Sequence, residues 1–390
     1  MQKEVQPAMT FEQIMQSENF TPNAEQRPVI ESVRNTVVSA GAGAGKTAVL
    51  SWRFLRLVME QNVKPEQILT LTFTKKAANE MRQRIYHRLL KAKDSLPSDA
   101  LDSFRNATIA TLDSFCAQIV RSDSTSYGFP RDYANLSEQD LDTMAERVAM
   151  RFLSDPENSE ETDLISSLVM PSSVMERFFG RIASLSKVTG NYDSERITSE
   201  FLSEVRRIYK EKHDQLIYML DALGNMNIKG AFAQQYARIR YNADNECLTD
   251  DDYFRLNGVT EEIKEMVYEI RTILDKGSGF VLLQNIANGS SQTSVLQRAV
   301  EKYAKLLNDE KRMMGSMTFN DASELAVCIL RDNIQLRKVF KERFRYVMID
   351  EFQDNNGVQR DLLFLLSEKN SIEGEKGRIP SLEELDEGKL

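Results

Sequence analysis

The chain has 390 residues, enough for two or three domains, and it is 41% hydrophobic and 28% charged, as ordinary globular proteins are. Its apolar runs are too short to cross a membrane, residues 1–16 lack the pattern of a secretion signal, and its three cysteines show no metal-ligand spacing, so we expect a cytoplasmic protein with buried thiols. The net charge of −9 argues against a surface that binds nucleic acid throughout, although a local basic groove remains compatible with it.

The first predicted strand, residues 36–40, runs directly into a glycine-rich loop. Small side chains there leave backbone N–H groups free to wrap a phosphate, Lys46 can reach the β- and γ-phosphates, and the Thr47 hydroxyl can hold Mg²⁺. A helix predicted over 46–60 would direct its positive end at the same anion. A flexible loop with a chance Lys-Thr pair is the alternative, which the order of strand, loop and helix disfavours. The sequence therefore predicts an ATP–Mg²⁺ site formed by Ala40, Gly41, Ala42, Gly43, Ala44, Gly45, Lys46 and Thr47.

Three further apolar runs, at residues 67–73, 106–112 and 344–350, are typical of strands buried on both faces of a parallel sheet. Helical patterns follow the first two, at residues 75–91 and 113–121. The alternation of strands and helices predicts an α/β fold with right-handed crossovers and a thin sheet of four strands.

The sequence pattern changes between residues 124 and 317, where strand-like runs disappear and helical periodicity prevails. One of these helices is predicted to begin with a capping box formed by Ser137 and Asp140. We therefore predict a mainly helical domain at 124–317, inserted into an α/β core made of 1–123 and 318–390.

Two carboxylates, Asp350 and Glu351, follow the last predicted strand. Ligands of α/β proteins bind at the carboxyl ends of the strands, so Asp350 is a candidate Mg²⁺ ligand and Glu351 a candidate base that orients or deprotonates an attacking water. The alternative is a strand end followed by the acidic first turn of a helix. A phosphate loop elsewhere in the chain favours the catalytic interpretation, because such a loop needs an acidic partner.

The strand at residues 67–73 leads into a basic helix through Phe73, Thr74, Lys75 and Lys76. Phe73 could stack on a base, while Thr74, the lysines and the first N–H groups of the helix could contact a nucleic-acid backbone. The alternative is that Phe73 belongs to the core and the lysines form a solvated face.

Four blocks of sequence together resemble superfamily 1A DNA helicases. They are TPNAEQR (21–27), AGAGAGKT (40–47), TFTKKAANEMRQRI (72–85) and IDEFQDNNGVQ (349–359). Three further blocks are more similar to the RecB/AddA helicase–nuclease branch than to UvrD or Rep: ATLDSFCAQIVR (110–121), MTFNDASELAVCIL (317–330) and DLLFLLSEKN (361–370). The resemblance implies a RecA-like P-loop NTPase core, subdomain 1A, interrupted by a helical subdomain 1B.

The resemblance also implies roles for single residues. Gln26 would read adenine, with Arg27 beside it, and Gln353 would link the state of the nucleotide to the grip on DNA. Phe73 would contact DNA, as would Thr74. Asp113 departs from the family, because many relatives have His at this position.

The function implied by the resemblance is ATP-dependent translocation on single-stranded DNA and unwinding of duplex DNA during double-strand-break repair, with exonuclease activity and a second helicase–nuclease subunit. The alternatives are a UvrD/Rep-like helicase without a nuclease and a non-hydrolysing nucleotide- and DNA-binding module. The family's next element, a strand carrying Gly-Asp-x-x-Gln-Ser-Ile-Tyr, would begin close to Leu390. The resemblance therefore implies that these 390 residues are the N-terminal part of a longer helicase, without its second motor domain. Because arginines of that domain contribute about 10³–10⁵ to the rate, we expect this part to bind nucleotide weakly and to hydrolyse little ATP.

Overall fold

The computed structural model describes residues 9–41, 43–168, 175–186, 188–189, 194–275, 278–289, 292–352, 356–370 and 376–390. The chain divides into two compact units, with boundaries after Asn135 and after Ser316. Residues 124–135, which the sequence pattern assigns to the inserted domain, belong to the first unit. None of the described helices is long and apolar enough to span a bilayer.

The first unit begins with a strand–helix alternation. Two helices that follow strands start at threonine N-caps, because the side chains of Thr74 and Thr111 accept hydrogen bonds from backbone N–H groups of the first helical turn. The elements are α1 (Phe11–Ser17), α2 (Gln26–Glu31), α3 (Lys46–Glu60), β1 (Ile68–Thr72), α4 (Lys75–Lys91), α5 (Ala100–Phe104), β2 (Ile109–Thr111), α6 (Leu112–Asp123) and β3 (Ala134–Asn135).

The regular secondary structure of the second unit is almost entirely helical among its described residues. Its first helix opens with the predicted capping box, in which Ser137 and Asp140 each bond the other's backbone N–H group. Phe152, Phe179 and Tyr303 pack with their rings edge-on or tilted in its core. The α-helices are α7 (Glu138–Ser154), α8 (Ser159–Leu168), α9 (Arg181–Leu185), α10 (Ser194–Gly224), α11 (Gly230–Asp244), α12 (Glu261–Leu274), α13 (Phe280–Ala287) and α14 (Gln292–Met313), and a π-helical turn spans Met175–Gly180.

The chain then returns to the first unit. A capping box formed by Thr318 and Asp321 starts the first helix of this part. The elements are β4 (Ser316–Met317), α15 (Phe319–Asp332), α16 (Ile334–Arg343), β5 (Tyr346–Ile349) and α17 (Gly357–Ser367).

A parallel sheet of three strands, in the order β2-β1-β5, lies at the centre of the first unit. The central strand β1 is buried along its whole length and pairs Thr72 with Thr111 on one side and Leu71 with Ile349 on the other. Because all three strands are parallel, their carboxyl ends meet at one edge of the sheet. The small parallel sheet surrounded by helices confirms the predicted α/β class.

The strand predicted at residues 36–40 is wrong. This stretch forms no regular secondary structure, and Val37 and Val38 are 83% and 45% exposed. The carbonyl of Lys389 accepts a hydrogen bond from the N–H group of Val347 in β5, so this N–H group is not available to pair with residues 36–40. Apolar β-branched residues predict a strand only where a neighbouring strand is free to pair.

Candidate nucleotide and nucleic-acid site

The glycine-rich loop takes a conformation that glycine permits. Gly43 and Gly45 have φ angles of 80° and 82°, in the left-handed region, and Gly45 is the N-cap of α3. A Cβ atom at Gly45 would lie 3.3 Å from Nε2 of Gln26, and that amide donates a hydrogen bond to the carbonyl of Ala44 at 3.1 Å. The structure therefore brings Gln26 against the loop.

Lys46 lies between the loop and the strand end of β5. Its Nζ atom donates to the carbonyl of Ala40 at 3.3 Å and lies 3.2 Å from Oε2 of Glu351. Both side chains are partly exposed, so water screens the ion pair and its contribution to stability is small. An anionic ligand can therefore separate this ion pair at a small cost in free energy.

Thr47 and Asp350 meet although they come from opposite ends of the sequence. The Thr47 hydroxyl donates to Oδ2 of Asp350 at 3.2 Å, and the N–H group of Asp350 donates to the carbonyl of Leu71, which continues the pairing between β1 and β5. Burial raises the pKa of Asp350, and the neighbouring charge of Glu351 acts in the same direction. A hydroxyl and a carboxylate at this distance are the oxygen donors that Mg²⁺ prefers.

The second oxygen of Asp350 supports the same interpretation. Oδ1 is buried and has no hydrogen-bond partner among the described residues. An unpaired buried carboxylate oxygen is costly, and a bound cation would satisfy it. The residues present therefore fit a divalent cation held by Thr47 and Asp350.

Glu351 leaves the strand through an unusual backbone conformation. Its φ angle is 58°, in the left-handed region that residues with a Cβ rarely adopt. Such strain is found most often at functional sites. The turn directly after Asp350 allows the Glu351 carboxylate to reach Lys46.

A cavity of about 190 Å³ opens where the three strands end. Its lining includes acidic residues and Phe73, which lies just before the basic helix α4. Partial burial of Asp113 raises the pKa of its carboxyl group. The structure thus places Asp113, the residue that departs from the helicase pattern, in the same cavity as Asp350. The lining residues are Leu71, Thr72, Phe73, Leu112, Asp113, Ile349, Asp350, Glu351 and Gln359.

The candidate DNA contacts lie at the rim of this cavity and on the helix beyond it. Phe73 is 62% exposed, so it does not belong to the core, and Thr74 uses its side chain to cap α4. Lys75 is exposed, and Lys76 makes only a long surface contact with Glu80. An exposed aromatic ring beside solvated cations suits a single-stranded nucleic acid.

Two of the predicted site residues, Ala42 and Gln353, lie outside the described residues. A third predicted residue, Arg27, makes its contacts away from the loop. Arg27 pairs with Glu12 at 2.8 Å and with Glu31 at 3.2 Å, and the hydrogen bond with Glu12 is the main cause of its raised pKa. The structure brings Gln26, but not Arg27, to the loop.

Arg88 is a residue that the sequence analysis missed. It is buried, its guanidinium lies 3.6 Å from the ring centre of Trp52, and it donates to the carbonyl of Ala48 on α3. Burial lowers its pKa to about 10. The signal was its spacing from Met81 and Ile85, which puts an arginine on the apolar face of α4. Arg88 therefore ties the basic helix to the helix that follows the phosphate loop.

The chain matches a known protein family over most of its length. Residues 22–372 match the UvrD/REP helicase N-terminal domain. The chain belongs to this family. The matched span of the UvrD/REP helicase domain includes the glycine-rich loop, the basic helix α4 and the acidic end of β5.

Several curated relatives of this UvrD/REP helicase domain are similar over most of the chain. An ATP-dependent helicase/nuclease subunit of Exiguobacterium sibiricum is 26% identical, over 90% of the chain and 34% of the relative. The protein of the same name from Carboxydothermus hydrogenoformans is also 26% identical, over 88% and 34%, and the exonuclease/helicase subunit RexA of Lactococcus lactis subsp. cremoris is 24% identical, over 92% and 35%. The chain thus spans about a third of the length of the curated relatives it matches.

Proposed function

We propose that this chain binds ATP–Mg²⁺ and single-stranded DNA as the N-terminal helicase part of an ATP-dependent helicase/nuclease subunit. The observation that carries the proposal is the meeting of the phosphate loop with the acidic end of β5, through Thr47 with Asp350 and Lys46 with Glu351. Such a pairing of a lysine and hydroxyl with two carboxylates is what nucleotide hydrolysis requires. The proposal includes a P-loop NTPase core for the first unit and subdomain 1B for the helical unit.

The phosphate groups would be held by the loop. Backbone N–H groups at residues 43–47 and the amino end of α3 would bind the phosphate oxygens, and Lys46 would exchange the Glu351 carboxylate for the terminal phosphates. The same exchange would separate Glu351 from Lys46, and the Glu351 carboxylate would then orient a water molecule and accept its proton. Gln26 already lies against the loop and would approach the adenine ring.

Mg²⁺, when bound, would neutralise phosphate charge beside Thr47 and Asp350. The chain's own contribution is to hold these two oxygen donors together: β1 fixes the backbone of Asp350, and the first turn of α3 fixes Thr47. The unpaired Oδ1 of Asp350 supports this assignment.

Single-stranded DNA would cross the outer side of the cavity at the strand ends. Phe73 would stack on a base, and Thr74, Lys75 and Lys76 would contact the backbone. In the whole protein these contacts would support translocation and unwinding during double-strand-break repair, in partnership with a second subunit. The names of the relatives favour a helicase with a nuclease over a UvrD/Rep-like helicase without one. A nuclease assay on the full-length gene product, with and without ATP, separates the two: the absence of DNA degradation would favour the second.

A titration of the 390-residue chain with a fluorescent ATP analogue tests the core of the proposal. We expect saturable binding that requires Mg²⁺, weakened on the order of tenfold by Lys46→Ala and unchanged by Lys64→Ala, which removes only a surface pair with Asp99. Binding that is equal in the two variants would overturn the proposal. We also expect little hydrolysis with or without single-stranded DNA. DNA-stimulated turnover near that of the full-length protein would contradict this second expectation alone.

A further inference from the structure

A short segment at residues 385–390 lies between the two parts of the chain that form the nucleotide site. The carbonyl of Lys389 accepts a hydrogen bond from the N–H group of Val347 in β5 at 2.6 Å. The next carbonyl, that of Leu390, accepts from the N–H group of Thr36 at 3.1 Å. Val347 is close to Asp350 along β5, and Thr36 precedes the phosphate loop, so two successive carbonyls connect the approaches to both halves of the site.

Asn35 adds two side-chain bonds on the loop side. Its Oδ1 atom accepts from the N–H group of Leu390 at 2.9 Å, and its Nδ2 group donates to the carbonyl of Asp386 at 3.0 Å. Because Val37 and Val38 are exposed, apolar packing contributes little to the position of this stretch. The bonds to residues 386–390 therefore fix where the stretch that leads to the loop lies.

The segment is itself anchored to the helices around β5. The side chain of Lys389 is only 4% exposed, and its Nζ atom donates to the carbonyl of Lys341 on α16 at 2.9 Å. The N–H group of Asp386 donates to the carbonyl of Ser367 at 2.7 Å, and Leu385 forms an antiparallel bridge with Glu368. These contacts hold the segment in place, so that its bonds to residues 35 and 36 can fix the position of the stretch that leads to the loop.

Gly388 lies directly against the backbone of Val33, which precedes the phosphate loop in the sequence. Its φ angle is 79°, and a Cβ atom there would lie 2.2 Å from the carbonyl oxygen of Val33 and 2.9 Å from the carbonyl carbon. A separation below 3.0 Å from backbone atoms cannot be relieved by rotating a side chain. Any residue other than glycine must therefore push Val33 away from the segment.

We propose that residues 385–390 are a positioning segment, which sets the distance between the phosphate loop and the Asp350–Glu351 pair and thereby the affinity for nucleotide. The proposal rests on the proposed function, which supplies the nucleotide ligand. The residues of the positioning segment would themselves contact neither phosphate nor metal. They act through the backbone of residues 33–36 and of β5.

Two glycine substitutions test the positioning segment. Gly388→Ala displaces Val33, whereas Gly377→Ala imposes the same backbone strain, since its φ angle is 84°, but meets no atom within 4 Å. We expect Gly388→Ala to weaken binding of the fluorescent ATP analogue about tenfold, comparable to the loss of a hydrogen bond, and Gly377→Ala to change it less than about twofold. Both variants are compared with the wild type by circular dichroism. Equal affinities in two folded variants would overturn the proposal.

Asn35→Ala is the second variant, for the case in which Gly388→Ala fails to fold. It removes two hydrogen bonds without adding an atom, and we expect the same direction of change. Hydrogen exchange without nucleotide gives an independent readout: the amide of Thr36 and the amides of residues 43–47 should exchange faster in Asn35→Ala, while those of β1 stay protected. If the wild type fails to bind nucleotide, the proposed function fails, and the exchange experiment still decides whether the segment positions the loop. Unchanged exchange in the loop would overturn the positioning role.

Discussion

The Nζ atom of Lys46 lies 3.2 Å from Oε2 of Glu351, so the candidate phosphate-binding lysine is paired with the candidate catalytic base. Each group neutralises the other until a more strongly charged ligand separates them. Lys46 is the cation that anionic phosphates would attract, and Glu351 is the carboxylate that would be released. Under the proposed function, the pair would link nucleotide binding to the availability of the base.

Glu351→Gln is expected to separate binding from hydrolysis. The amide cannot accept a proton from water, so ATP turnover of the full-length protein should fall on the order of 10²-fold or more. Nucleotide affinity should stay the same or increase, because Lys46 no longer has a competing carboxylate. Steady-state hydrolysis and an ATP-analogue titration measure the two effects. Glu342→Gln, which removes a surface pair with Lys338, is the control and should change neither.

Phe73→Ala is expected to weaken binding of single-stranded DNA without loss of stability. The ring is 62% exposed, so its removal creates no cavity, while a lost base stack costs about 1–3 kcal/mol. Fluorescence anisotropy with a labelled oligonucleotide measures the affinity. Phe319→Ala removes a ring of similar exposure, 53%, outside the strand-end cavity and serves as the control. Equal affinities in the two variants would show that Phe73 does not contact the nucleic acid.

Arg88→Ala is expected to destabilise the first unit by roughly 3 kcal/mol. The substitution removes the contact with Trp52 and the bonds to α3, and it leaves Glu18 without its buried partner. Thermal unfolding followed by circular dichroism measures the effect. Arg84→Ala, an exposed arginine on the same helix, should stay within about 0.5 kcal/mol of the wild type. A melting temperature of Arg88→Ala equal to that of Arg84→Ala would contradict the structural role.

Lys389 is expected to make stability rise with pH in the alkaline range. Burial lowers its pKa to about 8 from the ordinary 10.5, so between these values the unfolded chain binds more protons than the folded one. The free energy of unfolding should therefore increase from about pH 8 to 10.5, by up to about 3 kcal/mol relative to a Lys389→Met variant. Urea unfolding at a series of pH values measures the slope. Lys338→Met, at an exposed lysine, should keep the wild-type slope.

Local pattern predicted the helices next to the site well. The helices expected at residues 46–60 and 75–91 have those bounds in the structure, because an amphipathic face and an N-terminal loop or cap are encoded in neighbouring residues. The strands at 68–72, 109–111 and 346–349 are shorter than the apolar runs that predicted them. Strand ends depend on pairing with distant segments, which no local pattern contains.

Long-range contacts account for what the sequence analysis did not predict. Residues 36–40 have the composition of a buried strand, yet the segment that ends in Lys389 and Leu390 lies between them and β5. The residues of that segment, LDEGKL (385–390), have no strand-like pattern of their own. Asp113 and Asp350 share a cavity because β2 and β5 flank β1, an order that follows from the sheet and not from either motif. The candidate site residues were named from their motifs and from the resemblance to helicases, whereas their contacts required the fold.

The hydrogen bond between Gln26 and the carbonyl of Ala44 has a thermodynamic consequence. A glutamine amide that turns toward a base must give up this bond, just as Lys46 must give up its contact with Ala40. Arrival of a nucleotide would then be an exchange of internal contacts for external ones, and its net enthalpy would be smaller than the number of new contacts suggests. The internal contacts would in turn keep the loop close to its binding shape before a nucleotide arrives, so little conformational entropy would be lost on binding.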